Sequence, residues 1–182
     1  GDVTPQNFKI NTCGLRECID AVAQKLDWRQ VRGRKDGRGV GMASLIHVGG
    51  GARVYKSDGC GTIIKIDDFG TVNVFTGATD MGQGSETVIA QIVAEELGVR
   101  VEDVVVTHTD TDVCPWDVGA HASRTTFVAG NSAKGAAKKV KEQLLKVAAK
   151  SLGESPENLD MRDRVIYSRN DPEKKSPLGK VL

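Results

Sequence analysis

Residues 70–99 read GTVNVFTGATDMGQGSETVIAQIVAEELGV, and this stretch determines the predicted fold. Its first part, up to Gly77, is rich in Val and Thr and is typical of a β-strand. Its last part repeats apolar residues at helical spacing and predicts a helix over residues 82–97, with Gly98 as the C-cap. The residues expected to face the core are Val88, Ile89, Ile92, Val93 and Leu97.

Further strands are predicted on both sides of this stretch. The run VEDVVVTHTD at residues 101–110 reads as a strand, so one strand, glycine turn, helix and strand unit spans residues 71–109. Upstream, GVGMASLIHVGGG at residues 39–51 and CGTIIKID at residues 60–67 also read as strands. The IDDFGTV junction predicts a hairpin turn, because Asp and Gly tolerate turn geometry.

Helical periodicity recurs at both ends of the chain. Residues 126–152 predict a long helix whose six lysines form a solvated face, and residues 14–27 predict a peripheral amphipathic helix. Residues 28–39 are basic and rich in glycine, which indicates a solvated connector, with phosphate contact as the alternative. The long helix is expected to bury a stripe of Ala133, Ala136, Ala137, Val140, Leu144, Val147 and Ala148.

The predicted fold class is α/β, in the α+β sense: a mixed sheet packed against two long helices, forming one or two subdomains of a larger subunit. Residues 1–38 would be an amphipathic helix and a basic connector. Residues 39–153 would be the ligand-binding domain. Residues 154–182 contain one strand candidate, RVIYS, and would be a linker and the start of a further domain.

The composition argues against several classes of partner. A formal charge of +1 and an aromatic content of 4% disfavour nucleic acid and membrane surfaces as partners. We find no long apolar run and no basic or apolar leader, so a cytoplasmic location is expected. The four cysteines carry no CxxC pair and the three histidines are far apart, so no metal bound directly by side chains is predicted.

The glycine turn TGATDMGQGSET can bring a ligand close to a helix N-terminus. Unpaired N–H groups and a partial positive charge favour an anion there. Gly82 and Gly84 leave the backbone uncovered, Gln83 can donate and accept, and Ser85 can cap the helix or bind phosphate. Asp80 is better interpreted as a turn or cap residue than as a general base.

A second opening precedes the long helix, in GAHASRTTFVAGNSAKGAAKK at residues 119–139. The hydroxyls of Ser123, Thr125 and Thr126 and nearby backbone amides can surround a phosphate, and Arg124 can pair with it through its planar fork. Helix caps use the same residue types, so neither of these two helix openings is by itself specific evidence for a bound phosphate. The residues alone therefore predict an α/β unit that holds an anion.

The combined pattern RGVGMA, GTVNVFTGATDMGQGSETVIAQIVAEELGV and DTDVCPWDVGAHASRTTFVAGNSAKGAA resembles the molybdenum-cofactor-binding large subunit of the xanthine oxidase and aldehyde oxidase family. The resemblance covers residues 14–153. Within that family, DMGQGSET and ASRTT are most similar to the 4-hydroxybenzoyl-CoA reductase branch and related bacterial hydroxylases.

The resemblance implies a molybdopterin cofactor, with the cytosine dinucleotide form left open. Its pterin dithiolene holds the molybdenum, so the protein supplies orientation and electrostatics. Iron–sulfur and FAD groups would belong to partner subunits, and the remainder of the large subunit would be a further partner. The cofactor-binding residues implied are Gly82, Gln83, Gly84, Ser85, Ala122, Ser123, Arg124 and Thr125.

No catalytic residue is predicted in this chain. The glycine-phenylalanine loop that approaches the metal and the Gly-Glu segment with the general-base glutamate have no counterpart here, and Glu86, Glu95 and Glu96 do not replace that glutamate. The chain is therefore expected to be part of a molybdenum-dependent oxidoreductase and to be inactive alone. Its parent would hydroxylate, or reductively dehydroxylate, an aromatic, aromatic-CoA or aldehyde substrate. The alternative is a non-catalytic phosphate-ligand or scaffold module of the same fold.

Overall fold

The computed structural model describes residues 2–5, 7–47, 49–51 and 57–182. The chain divides into two compact units, residues 1–46 and residues 47–182. The candidate site lies in the second unit. A division of the protein into domains at residues 38 and 153 stays a prediction.

The first unit contains two helices, α1 (Leu15–Lys25) and α2 (Trp28–Val31). The predicted peripheral helix is therefore confirmed as α1, although none of its residues is buried. The strand predicted over residues 39–51 is wrong for the described part of that segment, which has no regular structure. Apolar β-prone residues are not sufficient for a strand, because a strand also needs a neighbouring strand that accepts and donates its backbone hydrogen bonds.

The second unit begins with a mixed three-stranded sheet in the order β1 (Thr62–Ile66), β2 (Val72–Thr76) and β3 (Val104–Thr107). β1 and β2 form the predicted antiparallel hairpin, and β2 runs parallel to β3. In the hairpin turn, Asp67 accepts hydrogen bonds from two backbone amides, and Gly70 has a φ of +84°. The turn chemistry read from IDDFG is therefore confirmed.

Helix α3 (Ser85–Leu97) connects β2 to β3, and helix α4 (Thr125–Leu152) packs against α3 and the sheet. The core-facing prediction for α3 holds best at Ile89, Val93 and Leu97, which are buried. Small residues on α4 allow the two helices to approach closely. The alanines of α4 that are fully buried are Ala129, Ala133, Ala137 and Ala148.

Two details of α4 differ from the predicted stripe and lysine face. Val147 is 53% exposed, so its assignment to the core is wrong. Lys141 is only partly exposed, and its ammonium lies 2.7 Å from a carboxylate oxygen of Asp160. The lysine face is thus not uniformly solvated, because the second sheet covers part of it.

That second sheet is antiparallel and has the order β4 (Leu159–Arg162), β5 (Val165–Ser168) and β6 (Lys175–Pro177). The predicted RVIYS strand corresponds to β5, whereas β4 and β6 were not predicted. Leu159, Met161 and Ile166 are buried in the same hydrophobic cluster as α3 and α4. Across the described residues, no helix has the length and apolarity needed to cross a membrane.

Candidate functional site

The first opening lies between β2 and α3, at residues 77–84. Gly77 packs closely, because a Cβ there would come 2.7 Å from the backbone nitrogen of Asp117. Gly82 and Gly84 have φ values of +102° and +78°, and a Cβ on either would meet no atom within 4 Å. These two glycines therefore serve the left-handed turn itself, whereas Gly77 serves close packing with the neighbouring segment.

Asp80 occupies the N-terminus of α3. Its carboxylate accepts hydrogen bonds from the backbone amides of Gly82 at 2.7 Å and Glu86 at 3.3 Å, and from the Ser85 hydroxyl at 3.4 Å. The Gly82 amide is the main cause that holds the pKa of Asp80 below its ordinary value, and the Glu86 amide comes next. The interpretation of Asp80 as a cap residue is confirmed. The α3 opening is consequently filled by the protein's own anion.

The Gln83 side chain fixes the shape of the same loop. Its amide nitrogen donates to the carbonyl of Thr79 at 2.8 Å and to the hydroxyl of Ser85 at 3.3 Å. Its amide oxygen accepts a hydrogen bond from the backbone nitrogen of Met81. An amide oxygen can accept a second hydrogen bond, so this side chain retains capacity for a ligand while it holds the loop.

The second opening precedes α4 and has an unusual backbone. Ala122 and Ser123 have φ values of +49° and +54°, which is left-handed geometry that L-residues seldom adopt. The first hydrogen bond of the helix runs from the Val128 amide to the Arg124 carbonyl. Within the described part of the chain, the amides at residues 125–127 donate to no acceptor. Among the described residues, helix α4 thus begins with open donors and no capping carboxylate, whereas Asp80 caps the Glu86 amide in the first turn of α3.

The structure brings parts of both openings into one cleft of about 650 Å³. Four of the eight residues predicted from the sequence line it, namely Gln83, Ala122, Ser123 and Thr125. Gly82, Gly84 and Ser85 belong to the first loop but do not line the cleft. Other lining residues are His47, Met81, Ala120, His121 and Thr126.

Among these additional residues, Met81, Ala120 and His121 are close in sequence to predicted positions, and the Thr126 hydroxyl was part of the second motif. His47 carried no signal, because it lies in a segment predicted as a strand and far from either motif. Its place in the cleft depends on tertiary structure alone.

Arg124 is not directed at this cleft. Its side chain is 1% exposed and forms ion pairs with Asp58 and Asp117. The guanidinium also donates to the carbonyl oxygens of Gly59 and Gly119, both at 2.8 Å. All three of its nitrogens are engaged by protein groups, so the structure offers no free fork for a phosphate. We therefore leave Arg124 out of the proposed cofactor contacts.

A second cleft of about 610 Å³ lies nearby and has a different lining. Gly77 and Thr79 contribute to it from the first loop, and Trp116 and Asp117 contribute from the segment before α4. The two clefts share no lining residue. Among the described residues, no group of three or more His, Cys, Asp or Glu side chains could hold a metal ion.

Comparison with known proteins identifies the family. The model described as "Molybdopterin cofactor-binding domain" matches residues 16–181, nearly the whole chain. The chain belongs to this family. The resemblance to large subunits of the xanthine oxidase family is thereby confirmed, whereas the 4-hydroxybenzoyl-CoA reductase branch stays a prediction.

Relatives of this molybdopterin-binding domain are subunits of larger enzymes. The chain is 37% identical over 169 residues to the xanthine dehydrogenase molybdenum-binding subunit of Escherichia coli O157:H7, covering 88% of this chain and 22% of that relative. It is 39% identical over 130 residues to the 6-hydroxypseudooxynicotine dehydrogenase complex subunit gamma of Paenarthrobacter nicotinovorans, covering 70% and 16%. The chain thus spans about a fifth of these relatives.

Solved structures agree with this fold. CO dehydrogenase from Oligotropha carboxidovorans matches with a TM-score of 0.63 and 31% identity over 68% of this chain and 15% of that chain. Quinoline 2-oxidoreductase from Pseudomonas putida 86 matches with a TM-score of 0.60 and 32% identity, covering 68% and 16%.

The residues of the 650 Å³ cleft fit the cofactor that the family name specifies. Ser123, Thr125 and Thr126 supply hydroxyls, and the first turn of α4 supplies amides that lack acceptors in the described chain. Such donors suit a phosphate group. Gln83 adds an amide oxygen on the opposite loop, which suits the N–H groups of a pterin.

Proposed function

We propose that the 650 Å³ cleft binds the molybdopterin cofactor through Gln83, Ala122, Ser123 and Thr125. The main support is that two loops separated by more than thirty residues contribute to one cleft beside the open amides of α4. The family to which the chain belongs specifies the kind of ligand.

In this proposal the two loops have different tasks. Ser123 and Thr125 donate hydroxyl hydrogen bonds to the cofactor phosphate, and the amides of the first α4 turn donate alongside them. Gln83 orients the pterin from the facing loop. When bound, the cofactor supplies the molybdenum redox centre, and this chain supplies orientation and a fixed field of donors.

We further propose that the complete protein is a molybdenum-dependent oxidoreductase that hydroxylates, or reductively dehydroxylates, an aromatic, aromatic-CoA or aldehyde substrate. Relatives named as dehydrogenase subunits support the reaction class. Iron–sulfur and flavin subunits would be its electron-transfer partners, and the cytosine dinucleotide would be one of two candidate cofactor forms. A location in the cytoplasm completes this proposal.

Cofactor loading of the full-length protein tests the binding residues. In the Ser123→Ala/Thr125→Val double variant, the cofactor content per mole of protein should fall by about tenfold or more. The reason is that each hydrogen bond to a charged group contributes about 1.5 kcal/mol or more. Thr87→Val is the matched control, because Thr87 is exposed on α3 and does not line the cleft. The readouts are molybdenum by mass spectrometry and fluorescent pterin after oxidative release, each per mole of protein. Unchanged loading in the double variant would contradict the assignment.

A further inference from the structure

The ion-pair cluster around Arg124 joins three separate parts of the second unit. The guanidinium Nε donates to Asp58, which lies 66 residues earlier in the chain. One terminal nitrogen donates to both carboxylate oxygens of Asp117 at 3.0 Å and to the carbonyl of Gly119. The other donates to the carbonyl of Gly59. The start of α4 is thereby tied to the segment before β1 and to the segment before α4 itself.

Backbone contacts run between the same two segments. Cys60 and Asp117 form an isolated antiparallel bridge, and the Gly61 amide donates to the Trp116 carbonyl at 2.8 Å. Val118 donates to the carbonyl of Gly59 at 3.4 Å. These few bonds hold a short pairing rather than a full ladder. A buried, multiply bonded guanidinium is therefore a major part of what keeps the two segments together.

The charge balance of the cluster makes the guanidinium of Arg124 necessary. The side chain of Asp58 is 11% exposed and that of Asp117 is 2% exposed, so two carboxylates surround one buried cation. Removing the guanidinium would leave two buried negative charges close together. The planar fork of arginine suits this arrangement, because it donates in several fixed directions at once, whereas lysine offers one point charge.

Arg124 directly follows the left-handed pair Ala122 and Ser123, which line the cleft. Two left-handed L-residues in succession persist only when surrounding bonds hold them. The Arg124 amide donates to the His121 carbonyl at 3.1 Å, and the Ala122 carbonyl accepts from Gly50. A backbone hydrogen bond to Ala122 thus holds the pair directly, and the bonded side chain of the next residue, Arg124, holds its C-terminal end.

We propose that Arg124, together with Asp58 and Asp117, is a positioning residue that holds the Ala122–Ser123 turn and the first turn of α4 in the geometry that binds the cofactor. It acts from behind the cleft and does not contact the phosphate. This inference rests on the proposed function of the cleft. It assigns to Asp58 and Asp117 a role that neither glycine-rich motif revealed.

The test uses the full-length protein without cofactor and the variants Arg124→Lys, Asp58→Asn and Asp58→Ala. The Gly50, Gly61 and Val128 amides donate to the carbonyls of Ala122, Trp116 and Arg124, so they report on the segments that the cluster holds. Their hydrogen exchange should accelerate about tenfold or more in Arg124→Lys, because the bonds of the guanidinium are lost. Exchange at Ile166, in the core of the second sheet, should change little. Asp58→Asn keeps an acceptor oxygen for the guanidinium, so it should restore most of the protection that Asp58→Ala loses.

Three outcomes would overturn the proposal. The first is unchanged exchange at the Gly50, Gly61 and Val128 amides in all three variants, and the second is an equal increase at Ile166, which would show general destabilisation. The cofactor content of Arg124→Lys is measured separately, by the loading assay described for Ser123→Ala/Thr125→Val. The third outcome is reduced loading in Arg124→Lys without any change in exchange, which would indicate direct phosphate contact. If Arg124→Lys does not fold, the difference in exchange protection between Asp58→Asn and Asp58→Ala tests the proposal. The Ser123→Ala/Thr125→Val loading experiment tests the cleft independently, so failure there is distinguishable from failure here.

Discussion

At the scale of single residues, Gly98 ends helix α3 with a φ of +77° and contacts the second sheet. Its amide donates to the Ala94 carbonyl at 2.8 Å, and its carbonyl accepts from the Arg164 amide at 3.0 Å. A Cβ at this position would overlap the Met161 carbonyl group and would lie 2.6 Å from its carbon. Both the backbone conformation and the space therefore require glycine.

We predict that Gly98→Ala lowers the free energy of unfolding by about 2 kcal/mol or more, because strain and overlap add. Gly135→Ala is the matched control. A Cβ at Gly135, inside α4, would meet no atom within 4 Å, and the change should raise stability by about 0.5–1 kcal/mol through helix propensity. Urea denaturation measures both variants. Equal effects of the two substitutions would contradict the structure at this position.

Asp80 gives a prediction about pH. Because backbone amides hold the pKa of Asp80 below its ordinary value of 3.8, its capping contribution is complete above 3.8 and is lost as the pH falls through the lower folded value. An NMR titration of the carboxyl carbon should give a pKa below 3.8. The Gly82 amide should titrate with it and should lose that response in Asp80→Asn. A pKa at or above 3.8 would show that the cap does not form.

Arg124 marks the limit of what the motifs could predict at this scale. Its place before the long helix was clear from the sequence, but its partner Asp58 is 66 residues away and carries no pattern that connects them. The same residue type serves a phosphate or a buried carboxylate, because both accept from a planar fork. Only the folded structure shows that the partners of Arg124 are carboxylates of the protein.

At the scale of elements, α3 and α4 were predictable because their periodicity is long and local. The strand predicted at residues 39–51 was wrong, and β4 and β6 were missed although β5 was predicted, since short segments depend on the strands or helices that they meet. Val147 continued the apolar periodicity of α4 but is exposed, because covering elements do not extend over that part of the helix surface. The pattern within one element thus predicted that element well, but it did not predict which elements are in contact.

The close approach of α3 and α4 provides a prediction for this scale. Ala133 of α4 is fully buried in the hydrophobic cluster to which both helices contribute, so Ala133→Leu should lower stability by about 1–3 kcal/mol through overpacking. Lys139→Leu introduces the same side chain at an exposed position of α4, where helix propensities of Lys and Leu are similar, and should be nearly neutral. Thermal and urea unfolding provide the comparison. A neutral Ala133→Leu would mean that the helices are more loosely packed than described.

At the scale of the whole molecule, the chain spans about a fifth of the length of its relatives. The proposed cofactor cleft contains parts of both predicted loops, but the two helix openings are not equivalent. Asp80 places a carboxylate at the α3 opening and caps the Glu86 amide, whereas no carboxylate caps the first-turn amides of α4 within the described chain. The phosphate is therefore expected at α4, and the first loop should contact the cofactor mainly through Gln83.

The most direct test is a crystal structure of the full-length protein loaded with its cofactor, with the molybdenum located by anomalous scattering. We predict cofactor phosphate oxygens within about 3 Å of the Ser123 or Thr125 hydroxyls, and pterin density beside Gln83. Phosphate density in the cleft lined by Gly77 and Trp116, with the Ser123 side remote from the cofactor, would contradict the proposed binding site.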